Sequence, residues 1–125
     1  MCKIHQFDPV LYPIKLWVSI TDKDKALSDR FYQGTDQEEF DFSMIKKHEA
    51  VTFIVQQRSE PAYFGILIVF TKKKYCTAKT MAHEATHAAN WIWDRLGESP
   101  VALEADAYLV GWIVECIEKV KLNKI

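Results

Sequence analysis

The sequence predicts an α+β fold: a small antiparallel sheet followed by two packed C-terminal helices. Three observations predict it. Every β-branched, apolar run lies before residue 72: Ile14–Ile20, Val51–Gln57 (VTFIVQQ) and Ala62–Thr71 (AYFGILIVFT). Two helical segments come after, with no strand-like run between or behind them. Strands first and helices second place the helices on one face of the sheet. Finally, 125 residues that are 49% hydrophobic and 13% aromatic suffice for one core, so residues 1–125 read as a single domain.

Pro9 and Pro13 flank the first strand, in which Ile14, Leu16, Val18 and Ile20 alternate with Lys15, Trp17 and Ser19. Thr21-Asp22 offers a cap for a short helix over Lys23–Tyr32, with Ala26, Leu27 and Phe31 facing inward. Residues Gly34 to Glu49, with Asp36, Glu38, Glu39 and Asp41, read as an acidic loop or a short irregular helix. Val51–Gln57 and Ala62–Thr71 form a hairpin across the turn Arg58–Pro61. A helix from Ala78 to about Leu96 ends at Gly97, a residue suited to a left-handed C-cap. Ser99 at the N-cap and Pro100 at the first helical position start the second helix, which runs to about Val120. It is apolar nearly all round between Ala105 and Ile117, so deep burial is expected.

The net charge of −1 excludes a bulk electrostatic attraction to nucleic acid, and the run Lys72-Lys73-Lys74 reads as a solvated strand end. Three cysteines, Cys2, Cys76 and Cys116, are an odd number without C-x-x-C spacing. This argues against a disulfide framework and suits a reducing compartment. No apolar leader region is visible at the N-terminus, and the longest apolar run, Ile66–Phe70, is too short to span a bilayer. A soluble, cytoplasmic protein with no membrane partner is expected.

The motif that carries chemistry is His83-Glu84-Ala85-Thr86-His87, an H-E-x-x-H within the first long helix. Residues four apart share a helix face, so both imidazoles can meet one Zn²⁺ ion. Glu84 stands beside them as the general base that takes a proton from water activated by the metal, which is the arrangement amide hydrolysis needs. Ala82, Ala85, Ala88 and Ala89 make this helix slim, so other elements can approach it closely.

A catalytic zinc site takes a third protein ligand. Glu104 lies in an otherwise apolar helix, where a carboxylate needs a partner. Its height is a difficulty. His87 is ten residues before Gly97, about 15 Å from the bend, whereas Glu104 is four residues past Pro100, about 6 Å from it. Glu115 stands nearer that height and is the alternative ligand. Around the motif, Asn90 and Asp94 could orient His87, and Trp91 could wall the site. Tyr108 could stabilise an oxyanion, although a packed tyrosine is the plainer reading. His5 and His48 have no ligand spacing and read as surface residues.

His83-Glu84-x-x-His87 followed by Glu104-Ala105-x-Ala107-Tyr108 resembles small phage- and prophage-encoded zinc metallopeptidases, over about Met81 to Ile113. More distantly it is similar to ImmA/IrrE-like peptidases. The resemblance implies a zincin-like, gluzincin-type site: His83, His87 and Glu104 on zinc and Glu84 as base, acting on a peptide or protein substrate. It further implies an edge strand, one of the Val51–Thr71 hairpin, that pairs with extended substrate, Gly65 allowing close backbone approach. The alternative is a non-enzymatic phage accessory or partner-binding protein with a structural or vestigial metal site.

Overall fold

The computed structural model describes residues 3–9, 14–40, 45, 47–97 and 103–123. The chain order is β1 (Ile4–Phe7), β2 (Lys15–Ile20), α1 (Asp24–Arg30), β3 (Phe31–Gln33), β4 (Ala50–Gln57), β5 (Phe64–Phe70), a 3₁₀ turn at Lys73–Tyr75, α2 (Ala78–Arg95) and α3 (Leu103–Lys121). The α+β class and the two packed C-terminal helices are as the sequence predicts.

The sheet itself departs from expectation. It has five strands in the order β1-β2-β5-β4-β3, and it is mixed. The β4–β5 hairpin is antiparallel, pairing Ala50 with Phe70 and Gln56 with Phe64. β2 pairs with β5 in parallel, Lys15 beside Gly65 and Ile20 beside Phe70. The reason lies in β5. Gly65 to Phe70 is buried at every position, an unbroken apolar run rather than an alternating one. Such a strand is covered on both faces and belongs at the centre of a sheet, so it needs a neighbour on each side. The hairpin supplies one and β2 the other.

Two short strands also lay outside the sequence reading. Ile4–Phe7 pairs with β2, and Phe31–Gln33 pairs with the far end of β4. The helix expected to run to Tyr32 stops at Arg30, because Phe31 turns extended and joins the sheet. The expected cap at Thr21-Asp22 does not form: Lys23 is the N-cap, without a side-chain cap bond, and the Thr21 hydroxyl accepts from the Lys23 N–H at 2.9 Å. The expected start of the second long helix at Ser99-Pro100 lies outside the described residues, as does the Asp41–Met44 part of the acidic segment.

The sheet carries a core on each face. On one, Leu16, Val18, Ile66, Ile68 and Phe70 pack under α2 and α3 through Ala85, Ala88, Ile92, Ile113 and Ile117. On the other, Trp17, Leu67 and Val69 pack against Leu27, Phe31, Phe40 and Ile45. Trp17, placed by its alternation on the less buried face, is therefore fully buried. α3 is buried along one stripe only, Leu109, Ile113, Cys116, Ile117 and Val120. Tyr108 and Gly111 face solvent, which corrects the expectation of all-round burial. Cys76 and Cys116 are buried free thiols, pushed up to about 11 and about 12 by desolvation. No described helix is long and apolar enough to cross a membrane.

Gly65 is where the parallel pair closes: a Cβ there would collide with the Lys15 carbonyl oxygen and come within 2.6 Å of the Trp17 ring. The close approach is thus internal to the sheet. Gly111 has open space around it on the exposed side of α3. Gly65→Ala is expected to destabilise the fold by about 1–3 kcal/mol through overpacking. Gly111→Ala should stabilise it by about 0.5–1 kcal/mol through helix propensity. Urea unfolding midpoints check both signs.

Candidate metal centre

The site is built on the middle of α2. Thr77 caps the helix, its hydroxyl accepting from the Thr80 N–H at 3.2 Å. At the other end Gly97 adopts φ +70 and its N–H returns to the Asp94 carbonyl at 3.0 Å, the expected C-cap. Between them, Met81, Glu84, Ala85, Ala88, Ala89, Ile92 and Trp93 are buried and the remaining positions form an outer face.

His83 and His87 stand together on that outer face. Their Nε2 atoms are 3.1 Å apart, with the rings at 84° to one another. Two nitrogens each bound about 2.0–2.1 Å from one tetrahedral zinc lie about 3.3 Å apart. The separation of the pair is close to that spacing. In the metal-free state the same contact is a hydrogen bond between one protonated and one bare ring nitrogen.

Glu84 is turned the other way round the helix, and only 6% of it is exposed. Its Oε1 accepts from the Thr52 hydroxyl of β4 at 2.8 Å, while its Oε2 lies 3.9 Å from His83 Nε2. One carboxylate oxygen is thus held by the sheet and the other faces the histidine pair. A buried carboxylate without such a donor would be costly.

Glu84 and His87 line one wall of a cleft of about 230 Å³, with His48, Ala50, Val51, Thr52 and Trp91 completing it. Trp91 is 39% exposed and forms part of the wall, as the motif spacing suggested. His48, read from the sequence as a surface residue, lies in the lining of this cleft. It carries no spacing relative to the motif, and its sole signal was its place just ahead of β4.

The open side of β4 faces this cleft. Phe31–Gln33 covers only Val55–Gln57, and Gly34 donates to the Ile54 carbonyl at 2.7 Å. No described strand pairs with the outer side of Ala50–Phe53. The register settles which peptide groups are exposed. Glu49 bonds Thr71 and Gln57 bonds Tyr63, so odd-numbered residues turn their N–H and C=O groups to β5. Ala50 and Thr52 therefore present theirs outward. β5 itself is central, so of the two hairpin strands only β4 can serve as an edge.

The remaining residues of the sequence reading are less closely gathered. Asn90 and Asp94 are exposed on α2, and Tyr108 is 73% exposed on α3 rather than packed. Glu115 forms an exposed i,i+4 pair with Lys119 at 3.4 Å. Glu104 is the second residue of α3, and its side chain lies outside those described. Among the described residues no three His, Cys, Asp or Glu side chains converge to hold a metal.

The helix pair fixes where the backbone of Glu104 runs. Trp93 Nε1 donates to Asp106 Oδ1 at 2.8 Å near one end. At the other end Lys121 and Glu118 act electrostatically on Cys76, so α3 runs antiparallel to α2. Asp106 thus stands at the height of Trp93, six residues or about 9 Å along the axis from His87. Glu104 precedes Asp106 and lies further toward the bend.

The chain matches no protein family, and no curated protein or solved structure is significantly similar to it.

The Thr52–Glu84 bond yields a direct test. Thr52→Val keeps the shape but removes the donor, and it is expected to cost about 1–3 kcal/mol in unfolding free energy. Thr52→Ser should cost less than half as much. Equal losses in the two variants would mean that the methyl group, not the hydroxyl, matters here.

Proposed function

We propose that the protein is a zinc-dependent peptidase. The observation that supports this reading is the 3.1 Å pair of imidazole nitrogens beside a buried glutamate, next to the open half of β4. His83 and His87 hold the metal, and Glu104 is the third ligand by resemblance to the phage-type metallopeptidases. When bound, zinc supplies Lewis acidity, lowering the cost of ionising water and polarising a carbonyl.

The chain's own groups do the rest. Thr52 orients the Glu84 carboxylate through Oε1. The other carboxylate oxygen takes the proton from the attacking water and passes it to the leaving amine. The outward N–H and C=O groups of Ala50 and Thr52 pair with an extended peptide, as strand addition to an exposed edge does elsewhere. His48 and Trp91 bracket that peptide at the cleft walls. Asn90 supports His87 and Tyr108 reaches the oxyanion only if substrate draws it in. Binding through Glu104 requires the first turn of α3 to move toward the histidines, against the Trp93–Asp106 bond.

A second reading rests on the open half of β4, an edge that a partner's strand fits as well as a substrate. In it the chain is a non-enzymatic accessory or partner-binding protein of phage type. The histidine pair is then structural or vestigial, and the open half of β4 accepts a partner's strand rather than a substrate.

Zinc content and hydrolysis separate the readings. Purified protein is expected to hold about one zinc per chain, lost in His83→Ala and in His87→Ala. Glu104→Ala should weaken zinc at least about tenfold and Glu115→Ala should not. Zinc retained in Glu104→Ala but lost in Glu115→Ala would transfer the third position to Glu115. Glu84→Gln should keep zinc and lower kcat on casein or a peptide panel by about 10²–10⁴; unchanged turnover would refute the mechanism.

Strand addition has its own signature. Ala50→Pro removes one outward donor and leaves the ladder to β5 intact. It should raise KM for peptides about three- to tenfold at unchanged zinc content, with little effect on kcat.

A further inference from the structure

At the opposite edge of the sheet from the histidine pair, a pocket of about 270 Å³ opens between β1, the 3₁₀ turn and the end of α3. Its lining brings together Lys3, His5, Lys73 and Lys121, with Ile20 and Val120 as an apolar floor. Three cations arrive from three separate segments, and each backbone is fixed. The Lys3 carbonyl accepts from the Ser19 hydroxyl at 2.9 Å. The Lys73 carbonyl accepts from the Cys76 N–H at 3.0 Å, and Asn123 folds back onto the Val120 carbonyl at 3.1 Å.

Among the described residues no carboxylate enters this lining, although the chain has 17 acidic residues to 16 basic. A second pocket, of about 410 Å³, has a mixed lining: there Lys47 and Lys72 share the walls with Asp22 and Glu49. Among the described residues none of Lys3, Lys73 and Lys121 is in an ion pair. The Lys121 position at a helix C-terminus accounts for one cation. It accounts for neither Lys3 nor Lys73. Burial and the Lys3 charge hold His5 below its ordinary pKa, so its imidazole is neutral at pH 7 and offers a hydrogen bond rather than a fourth charge.

We propose that this pocket binds a phosphate group. Three ammonium ions are point charges without the planar fork of arginine, so they select charge density over carboxylate geometry. A dianionic, compact oxyanion satisfies them best. The apolar floor at Ile20 and Val120 leaves room for the organic part of a phosphate monoester.

Calorimetric or NMR titration of the intact protein with inorganic phosphate and with AMP, at constant ionic strength set with chloride, tests this. Saturable one-to-one binding is expected, with acetate at least about tenfold weaker. Lys73→Gln and Lys121→Gln should each weaken it about fivefold or more. Lys74→Gln, next to the pocket but outside its lining, should change it less than twofold, and thermal unfolding of the three variants should match the parent. Tighter binding of AMP supports a phosphate carried on an organic molecule, and equal binding supports the free anion. Chloride competing as well as phosphate would overturn the proposal. So would an oligonucleotide whose affinity grows with length and falls equally in Lys74→Gln, since that behaviour belongs to a diffuse basic surface.

Discussion

The distance between α2 and the sheet governs the rest of the structure. Ala85, Ala88 and Ala89 are fully buried where the helix crosses β4 and β5, and their small side chains let it pack closely on Ile66, Ile68 and Phe70. At that separation a helix carboxylate can reach a strand hydroxyl, and Glu84 meets Thr52 at 2.8 Å. That single bond spans the helix and the strand on either side of the cleft. It orients Glu84 with one oxygen toward the sheet and the other toward the imidazoles. A leucine at 85 or 88 would lift the helix, separate the pair and leave a carboxylate buried without a donor.

The sheet topology determines what faces that helix. β5 is apolar along its whole length because both its faces are covered, by the helix pair on one side and by the Trp17–Leu27–Phe31 cluster on the other. Once β5 is central, β4 lies outside it, and β3 is only three residues long. Among the described residues, so short an outermost strand leaves the outer side of Ala50–Phe53 without a partner strand. That half lies beside the histidine pair, so the cleft and the open edge arise from one cause. Edge strands are ordinarily short or shielded because they invite pairing. An open half strand next to two imidazoles and a carboxylate is consistent with a strand-like ligand, whether substrate or partner.

The histidine pair and the basic pocket divide the molecule. One uses the outer face of α2 above β4, the other the far end of α3 beside β1. They share only the core between them. Lys72-Lys73-Lys74, read along the chain as one solvated run, is split by the fold. Lys73 joins the pocket with Lys3 and Lys121, Lys72 faces the mixed-charge pocket, and Lys74 lies over the Tyr75 ring.

The sequence alone determined those features that depend on local periodicity and local chemistry. The C-terminal end of α2 follows from Gly97, the hairpin from two β-branched runs around a turn, and the joint facing of His83 and His87 from four-residue spacing on a helix. The features it left undetermined depend on which segments meet. The parallel β2–β5 pair joins residues fifty apart, and nothing in either strand encodes the direction of its neighbour. β1 and β3 are too short to carry a periodic signal. His48 enters the cleft through the path of the chain ahead of β4, and three lysines converge from separate segments. Even the height of Glu104 relative to His87 is fixed by a tryptophan–aspartate bond between the helices. Local pattern specifies an element and its faces, whereas a site assembled across elements depends on tertiary packing, because its distances are set by every side chain in between.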